Sequence, residues 1–215
     1  MSKIILPKKD KDGNQYISYS QHSKWKKSIK DYVKSYFFGE RFEGNAYTEF
    51  GSLIGESLEH DDYSEFTENE QLILEGVTRL DEFERQIKFD LGEFYVMGFI
   101  DTNDKACTTI VDYKTGDLNK VAVYEDDDYD QLAIYAGALE QETGKLPKKA
   151  WVELIERTGN AFIGETLKLG TSVVQIPQDI SKKRIKAVKE DVVRVATEIS
   201  DFYRVFNLMN EEISI

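Results

Sequence analysis

The chain has 215 residues, of which 40% are hydrophobic, and its formal net charge of −12 comes from 40 acidic and 28 basic residues. This size and composition predict a globular protein with one buried core, and we interpret residues 1–215 as a single domain. The charge excludes a protein that coats nucleic acid nonspecifically, so a polyanionic partner has to meet a local basic patch.

The single cysteine, Cys107, excludes a disulfide framework, and it excludes a cysteine-ligated zinc or iron-sulfur site because each needs several thiolates. The cysteine content indicates a reducing compartment. No apolar run approaches the roughly 18 residues of a membrane span, and the charged N-terminus carries no targeting pattern. We therefore expect a cytoplasmic protein with no membrane partner.

The first predicted element is an amphipathic helix over residues 20–37, with Ser18 or Ser20 as its N-cap. Lys27, Lys30 and Lys34 lie on its polar face. This face is either ordinary solvated surface or a surface that contacts DNA phosphates. Its apolar residues recur at three- and four-residue spacing and are Trp25, Ile29, Tyr32, Val33, Tyr36 and Phe37.

The middle of the chain predicts two short helices and a sheet. Residues 50–59 and 67–78 have helical patterns, and the sheet is a three-stranded meander formed by "FERQIKFDL", "EFYVMGFID" and "ACTTIVDYK". A helix over residues 127–142 follows, with acids suited to its N-terminus and Gly144 at its end. The segments "AWVELIER" and "TSVVQI" predict two more strands.

The last predicted element is a long helix, which together with the preceding strand covers about residues 172–207. Apolar residues from Ile185 to Phe206 alternate at spacings of three and four. This stripe packs either on the domain's own core or on a second subunit as a homo-oligomer seam. The element order predicts an α/β or α+β fold, with a mixed central sheet flanked by helices.

Three charged residues in the meander need partners, because burying a charge beside a sheet is costly. Asp112 and Lys114 are two apart on a strand and share a face, while Tyr113 points away. A turn near Ala106 and Cys107 places Asp101 opposite Asp112, with a bulge or a splayed strand end because the best turn residues come slightly early. The convergence of two carboxylates and an ammonium is either an ordinary ion pair or a site for Mg²⁺ or Mn²⁺ that acts on phosphodiesters.

The order of Gly-x-x-Asp, "IVDYKTG" and a helix opening with "QLAIYA" resembles the RecB-like branch of the PD-(D/E)XK nuclease superfamily. The resemblance covers about residues 18–156 and implies a restriction-endonuclease-like fold. It implies that Asp101 and Asp112 bind metal and that Lys114 is catalytic. It also implies that Gln131 and Tyr135, four apart on the following helix, complete the site.

Weaker motifs extend the resemblance upstream. "SYSQHSKW" resembles the start of the first family helix, and "FGSLIGESLE" resembles a motif of the form Gly-x-x-x-His-x-x-Leu-Glu, with Gly55 at the histidine position. Glu56 is the nearest replacement ligand. Glu84 resembles an acid often seen on the first strand, although a surface glutamate is the default there. We expect the only two histidines, His22 and His60, at the surface.

The resemblance implies a Mg²⁺- or Mn²⁺-dependent DNA exonuclease without an iron-sulfur cluster, similar to standalone phage-type enzymes that act in recombination or repair. The implied setting is the cytoplasm of a bacterium or a phage-infected host, with a single-strand annealing or recombination protein as a candidate partner. Beside the first helix, the candidate DNA contacts are Lys182, Lys183 and Arg184 of "SKKRIK". The alternatives are a nuclease fold that no longer cuts and serves as a binding module, and an acidic DNA mimic supported only by "YEDDDYD".

Overall fold

The computed structural model describes residues 3–40, 43–125 and 129–213. Its strands are β1 (Tyr16–Ser18), β2 (Glu82–Asp90), β3 (Tyr95–Asn103), β4 (Thr109–Gly116), β5 (Lys149–Thr158) and β6 (Lys168–Pro177). Its helices are α1 (Tyr19–Lys27), α2 (Ile29–Tyr36), α3 (Ala46–His60), α4 (Glu68–Glu75), α5 (Val121–Glu125), α6 (Gln131–Thr143) and α7 (Lys182–Ile213). Two short 3₁₀ turns lie at Leu118–Lys120 and Ala161–Ile163.

The six strands form one mixed sheet, which confirms the predicted fold class. β4 and β5 are parallel, and β5 pairs with β6 in antiparallel orientation. β2 runs antiparallel along the whole length of β3. The parallel β4–β5 pair is connected through α6, as is usual for a crossover between parallel strands.

The other edge of β3 is shared by two strands. β1 pairs with its first part, at Tyr95–Met97, and β4 pairs only with its last part, at Thr102 and Asn103. Between these two contacts β4 diverges from β3, which confirms the expected splayed strand end. The sheet therefore forks beside residues 98–101, and the fork exposes backbone groups that must find other partners.

Helices cover both faces of the sheet. The larger core combines α1, α6 and α7 with buried residues such as Ile110, Val152 and Leu154. The smaller core combines α3 and α4 with Ile155 on the opposite face. Within the described residues, no helix is long and apolar enough to cross a membrane.

The first predicted helix is wrong in one respect, because Ser28 divides it into α1 and α2. Ser28 is extended, at φ −161° and ψ 100°, and its side chain accepts a hydrogen bond from the Asp31 backbone N–H. A serine competes well for such a cap and so ends one helix and begins the next. Ser18 is the N-cap of α1, and its Oγ accepts from the Gln21 backbone N–H at 3.2 Å.

The long α7 packs on its own core through most of its described length. Val188, Val192, Val195 and Ile199 are buried there, which agrees with the first of the two predicted uses. Towards its end Phe202, Val205, Leu208 and Met209 are exposed.

Candidate active site

Asp101 lies at the fork, where β3 and β4 separate. Continuing the pairing of Thr102 with Val111 by one step places Asp101 opposite Asp112, as the hairpin arithmetic predicted. The Asp101 Oδ2 accepts a hydrogen bond of 2.5 Å from the Tyr113 backbone N–H. The carboxylate thus satisfies a backbone donor that lost its strand partner at the fork.

Two effects raise the pKa of Asp101 to about 7: first its burial, and then the negative charge of Asp112. Lys114 and the Tyr113 N–H partly offset them. Burial and the neighbouring carboxylate therefore both disfavour the ionised form of Asp101. A nearby cation would relieve the repulsion with Asp112.

Asp112 is completely buried on β4, and its two oxygens have different surroundings. Oδ2 is 2.5 Å from the Lys114 Nζ and accepts a hydrogen bond of 2.8 Å from the Tyr129 hydroxyl. Oδ1 is buried without a hydrogen-bond partner in the described part of the chain. A buried carboxylate oxygen in this condition is costly unless it binds a cation or water.

Lys114 points to the same side as Asp112, as the strand alternation predicted. Burial alone would lower the pKa of its ammonium, but Asp112 and Asp101 raise that pKa above its ordinary value. Lys114 therefore stays charged at neutral pH. Tyr113 points away, packs with the α3–α4 core, and donates from its hydroxyl to the Thr78 carbonyl at 2.5 Å.

A chain of hydrogen bonds connects Asp112 to α6. The Tyr129 hydroxyl lies 2.8 Å from Asp112 Oδ2 and 2.9 Å from Gln131 Oε1, and the Gln131 Nε2 donates to the Tyr135 hydroxyl at 2.8 Å. Gln131 and Tyr135 are thus brought to the two acids and the lysine. Tyr129 was not predicted as a site residue: it falls within the helix predicted over residues 127–142, but α6 begins only at Gln131, so that predicted start is wrong.

Tyr129 keeps its proton at neutral pH, because burial and the negative charge of Asp112 raise its pKa well above 10. Its ring makes edge contacts with Tyr19, at 5.7 Å between centroids, and with Tyr124, at 5.2 Å. These contacts fix the direction of the hydroxyl. Tyr129 therefore orients Asp112 Oδ2, while Oδ1 stays buried without a hydrogen-bond partner among the described residues.

Gly98 explains the glycine of the Gly-x-x-Asp motif. A Cβ at this position would lie 2.6 Å from the Tyr135 Cε1, well inside van der Waals contact. The tyrosine ring lies directly on the β3 backbone, and only glycine leaves room for it.

The site opens into a cleft of about 610 Å³ between α3 and the β2–β4 strands. Its acidic lining residues are Glu56, Glu59, Glu84 and Asp101, and Lys114 is the cation among the described lining residues. Burial and then the charge of Glu59 raise the pKa of Glu84. Glu84 lines the cleft as an exposed residue of β2, with an unusual φ of 47°.

Gly55 also lines this cleft, and no heavy atom lies within 4 Å of a Cβ built there. Gly55 occupies the histidine position of the family motif, and the space beside it is empty of protein atoms. Glu56 is exposed beside it and lines the same cleft.

The donor set fits a divalent cation. The buried, unpartnered Oδ1 of Asp112 and the raised pKa of Asp101 both mark carboxylates that a cation would stabilise, and oxygen ligands suit Mg²⁺ or Mn²⁺. Among the described residues, the one set of three ligand atoms within 4.8 Å of one another is His22, Asp130 and Asp191. Glu56 does not complete such a set with Asp101 and Asp112, so its role as third ligand stays a prediction.

The set around His22 corrects a prediction. His22 is 1% exposed, not at the surface, because α7 covers it and its Nε2 lies 2.9 Å from Asp191 Oδ2. Asp130 already pairs with Arg184 at 2.7 Å and with Lys26 at 3.6 Å. Because Arg184 and Lys26 already pair with Asp130, we interpret the cluster as a structural network of ion pairs. It ties α1 and α7 to the start of α6, next to Gln131.

The predicted DNA contacts lie outside the cleft, and their role stays a prediction. Lys27, Lys30 and Lys34 are exposed on α1 and α2 and are absent from the cleft lining. Lys182 and Lys183 are exposed at the start of α7, where Lys182 is 3.3 Å from Glu140. Arg184 is turned inward to Asp130. The acidic run that suggested a DNA mimic lies partly outside the described residues, at 126–128.

Comparisons with known proteins match this chain to a family and to a fold. A family model for the PD-(D/E)XK nuclease superfamily matches residues 21–210. A solved structure of a "Putative exonuclease" from Eubacterium rectale shares the fold, with a TM-score of 0.53 and 13% identity, over 84% of this chain and 79% of that chain. No curated protein matches the sequence at a significant level.

Proposed function

Because this chain belongs to the PD-(D/E)XK nuclease superfamily, we propose that it is a divalent-metal-dependent DNA exonuclease. The observation that carries the proposal is the arrangement at the fork: Asp112 with one buried, unpartnered oxygen, Asp101 beside it, and Lys114 in contact with Asp112. A family member that had lost its catalytic activity would not need to retain these buried charges, which lower the stability of the fold.

The site residues have separate roles in this proposal. Asp101 and Asp112 hold the cation, with Glu56 as third acid from α3. A bound Mg²⁺ or Mn²⁺ would neutralise the carboxylates and polarise the scissile phosphate. Lys114 positions the attacking water and stabilises the negative charge that develops on the phosphorus oxygens. Tyr129, Gln131 and Tyr135 keep Asp112 and Lys114 in place.

We further propose the setting that the sequence resemblance implies. The enzyme resects DNA ends in recombination or repair, in the cytoplasm of a bacterium or a phage-infected host. A single-strand annealing or recombination protein is its proposed partner.

The first experiment uses end-labelled duplexes with blunt, 5′-overhanging or 3′-overhanging ends, incubated with Mg²⁺, Mn²⁺ or EDTA. A closed circular duplex is the control, because an exonuclease leaves DNA without ends intact. We expect cation-dependent release of nucleotides from ends. Failure to cut any linear substrate with either cation would favour the non-cutting binding module, which the absent histidine at Gly55 also favours.

The second experiment separates catalysis from binding. Lys114→Ala should lower the cleavage rate by about 10² or more, equivalent to about 2.7 kcal/mol of transition-state stabilisation, and keep DNA affinity within a few-fold. Asp112→Asn should remove both metal binding and cleavage. Lys145→Ala, at an exposed lysine away from the cleft, is the matched control. A near-normal rate for Lys114→Ala would contradict the assignment at its central residue.

A further inference from the structure

The loop between β5 and β6 presents two apolar side chains to solvent. Phe162 is 83% exposed and Ile163 is 71% exposed, and Phe162 is the most exposed large hydrophobic residue in the described part of the chain. Loop tips ordinarily carry polar residues. Two adjacent apolar residues at such a tip point to an interaction surface.

The loop is held in place by specific hydrogen bonds. Asn160 Oδ1 accepts from the Phe162 backbone N–H at 3.0 Å and from the Tyr47 hydroxyl at 3.1 Å, and the Ala161 N–H donates to that same hydroxyl at 3.1 Å. Gly159, at φ 87°, provides the left-handed turn at the start, where a Cβ would lie 2.3 Å from the Thr166 carbonyl oxygen. The exposure of Phe162 is therefore built into the loop.

Tyr47 connects this loop to the candidate active site. It lines the catalytic cleft, and it also lines an adjoining cleft of about 460 Å³ that includes Asn119, Arg157 and Asn160. The Phe162 ring centroid is 5.3 Å from that of Tyr47. A surface for stacking thus continues from the mouth of the catalytic cleft to the loop tip.

Arg157 adds a cation to this surface. Its guanidinium carbon lies 4.2 Å from the centre of the Tyr47 ring, a cation–π distance. Its Nε is buried without a hydrogen-bond partner in the described residues. Arg157 is the cation among the described residues that line the adjoining cleft, where Asp117 and Glu156 are the acids.

We propose that Tyr47, Arg157, Phe162 and Ile163 form a stacking platform that binds the unpaired bases at the end of a DNA strand whose scissile phosphate lies in the catalytic cleft. The inference rests on the proposed nuclease function and names the substrate as a DNA end with unpaired bases. Aromatic faces bind bases of any sequence, and a guanidinium contributes both charge and stacking. Continuity with the catalytic cleft favours DNA over a protein partner or a second copy of the chain.

The test measures equilibrium binding by fluorescence anisotropy, with Ca²⁺ replacing Mg²⁺ so that binding is measured apart from cleavage. The probes are a blunt duplex and the same duplex with four unpaired nucleotides at one end. Phe162→Ala should weaken binding of the unpaired end about fivefold or more and leave the blunt duplex within about twofold. Phe162→Tyr should restore the affinity. Leu72→Ala, a 67% exposed apolar residue on α4 outside both clefts, is the matched control.

Three outcomes would overturn the platform while wild type still binds DNA. The first is equal affinity of Phe162→Ala and wild type for both probes. The second is an equal loss on both probes, which would mean contact with the duplex itself. The third is a dimer in sedimentation that Phe162→Ala dissociates, which would assign the surface to a second copy. If wild type binds neither probe, the proposed function fails together with the platform.

Discussion

Asp101 is the residue at which stability and the proposed function oppose each other. Burial and the charge of Asp112 raise its pKa to about 7, while an aspartate in an unfolded chain has a pKa near 3.8. The folded protein therefore binds this proton more tightly than the unfolded chain. The stabilisation is fully present below about pH 4 and is lost as pH rises towards 7, because ionised Asp101 is disfavoured in the fold.

We predict that, with EDTA present, the free energy of unfolding of wild type falls more between pH 4 and pH 8 than that of Asp101→Asn. At pH 8 the variant should be the more stable protein, because it removes the repulsion with Asp112. Urea unfolding at several pH values measures both. Asp12→Asn, at an exposed aspartate, is the control and should follow wild type.

Mg²⁺ should reverse the ranking at pH 8. The cation binds the ionised carboxylate, so it should stabilise wild type more at pH 8 than at pH 6 and have little effect on Asp101→Asn. Equal stabilisation of both proteins by Mg²⁺ would show that Asp101 is not a metal ligand.

At the scale of elements, the site depends on how closely α6 packs on β3. Gly98 admits the Tyr135 ring, and Tyr135 ends the hydrogen-bond chain that begins at Asp112. The helix start is also tied to α1 and α7 through Asp130. The geometry of Asp112 is therefore set by elements distant in sequence.

Gly98→Ala should displace the Tyr135 ring and lower the free energy of unfolding by about 1–3 kcal/mol, because the added methyl group overpacks this contact. It should also lower the cleavage rate, because Gln131 and Tyr129 lose their support. Gly55→Ala is the stability control: its site on α3 is open, and alanine in a helix interior should be neutral or stabilising by up to about 1 kcal/mol. A Gly98→Ala protein with wild-type stability and rate would contradict the close packing.

The sequence was informative wherever structure follows local spacing. The Asp101–Asp112 register and the shared face of Asp112 and Lys114 follow from hairpin arithmetic and strand alternation. Long-range contacts were not accessible in this way. The burial of His22 depends on Asp191, 169 residues away, and Tyr129 contacts Asp112 from a position before α6 that was predicted to lie within the helix. β1 has only three residues and was missed because so short a strand carries no pattern.

At the scale of the whole molecule, the negative charge of the protein repels the proposed substrate, DNA, which is also negatively charged. The net charge is −12, and acids line the cleft of the candidate active site. DNA binding therefore has to rely on bound cations and on local basic surfaces. Lys27, Lys30 and Lys34 remain candidates on α1 and α2, separate from the stacking platform.

The salt dependence of binding tests whether these lysines contact phosphates. Each phosphate contact that is lost should reduce the slope of log affinity against log salt concentration by about 0.9, so a triple change of Lys27, Lys30 and Lys34 to alanine should reduce it by about 2–3. The matched control changes Lys145, Lys148 and Lys149, which are exposed at the other end of α6 and the start of β5, and therefore alters net charge equally. An equal change of slope in both triple variants would mean that only overall charge matters. An unchanged slope in the variant of Lys27, Lys30 and Lys34 would mean that DNA binds another surface. Lys182 and Lys183 of α7 would then be the next pair to change.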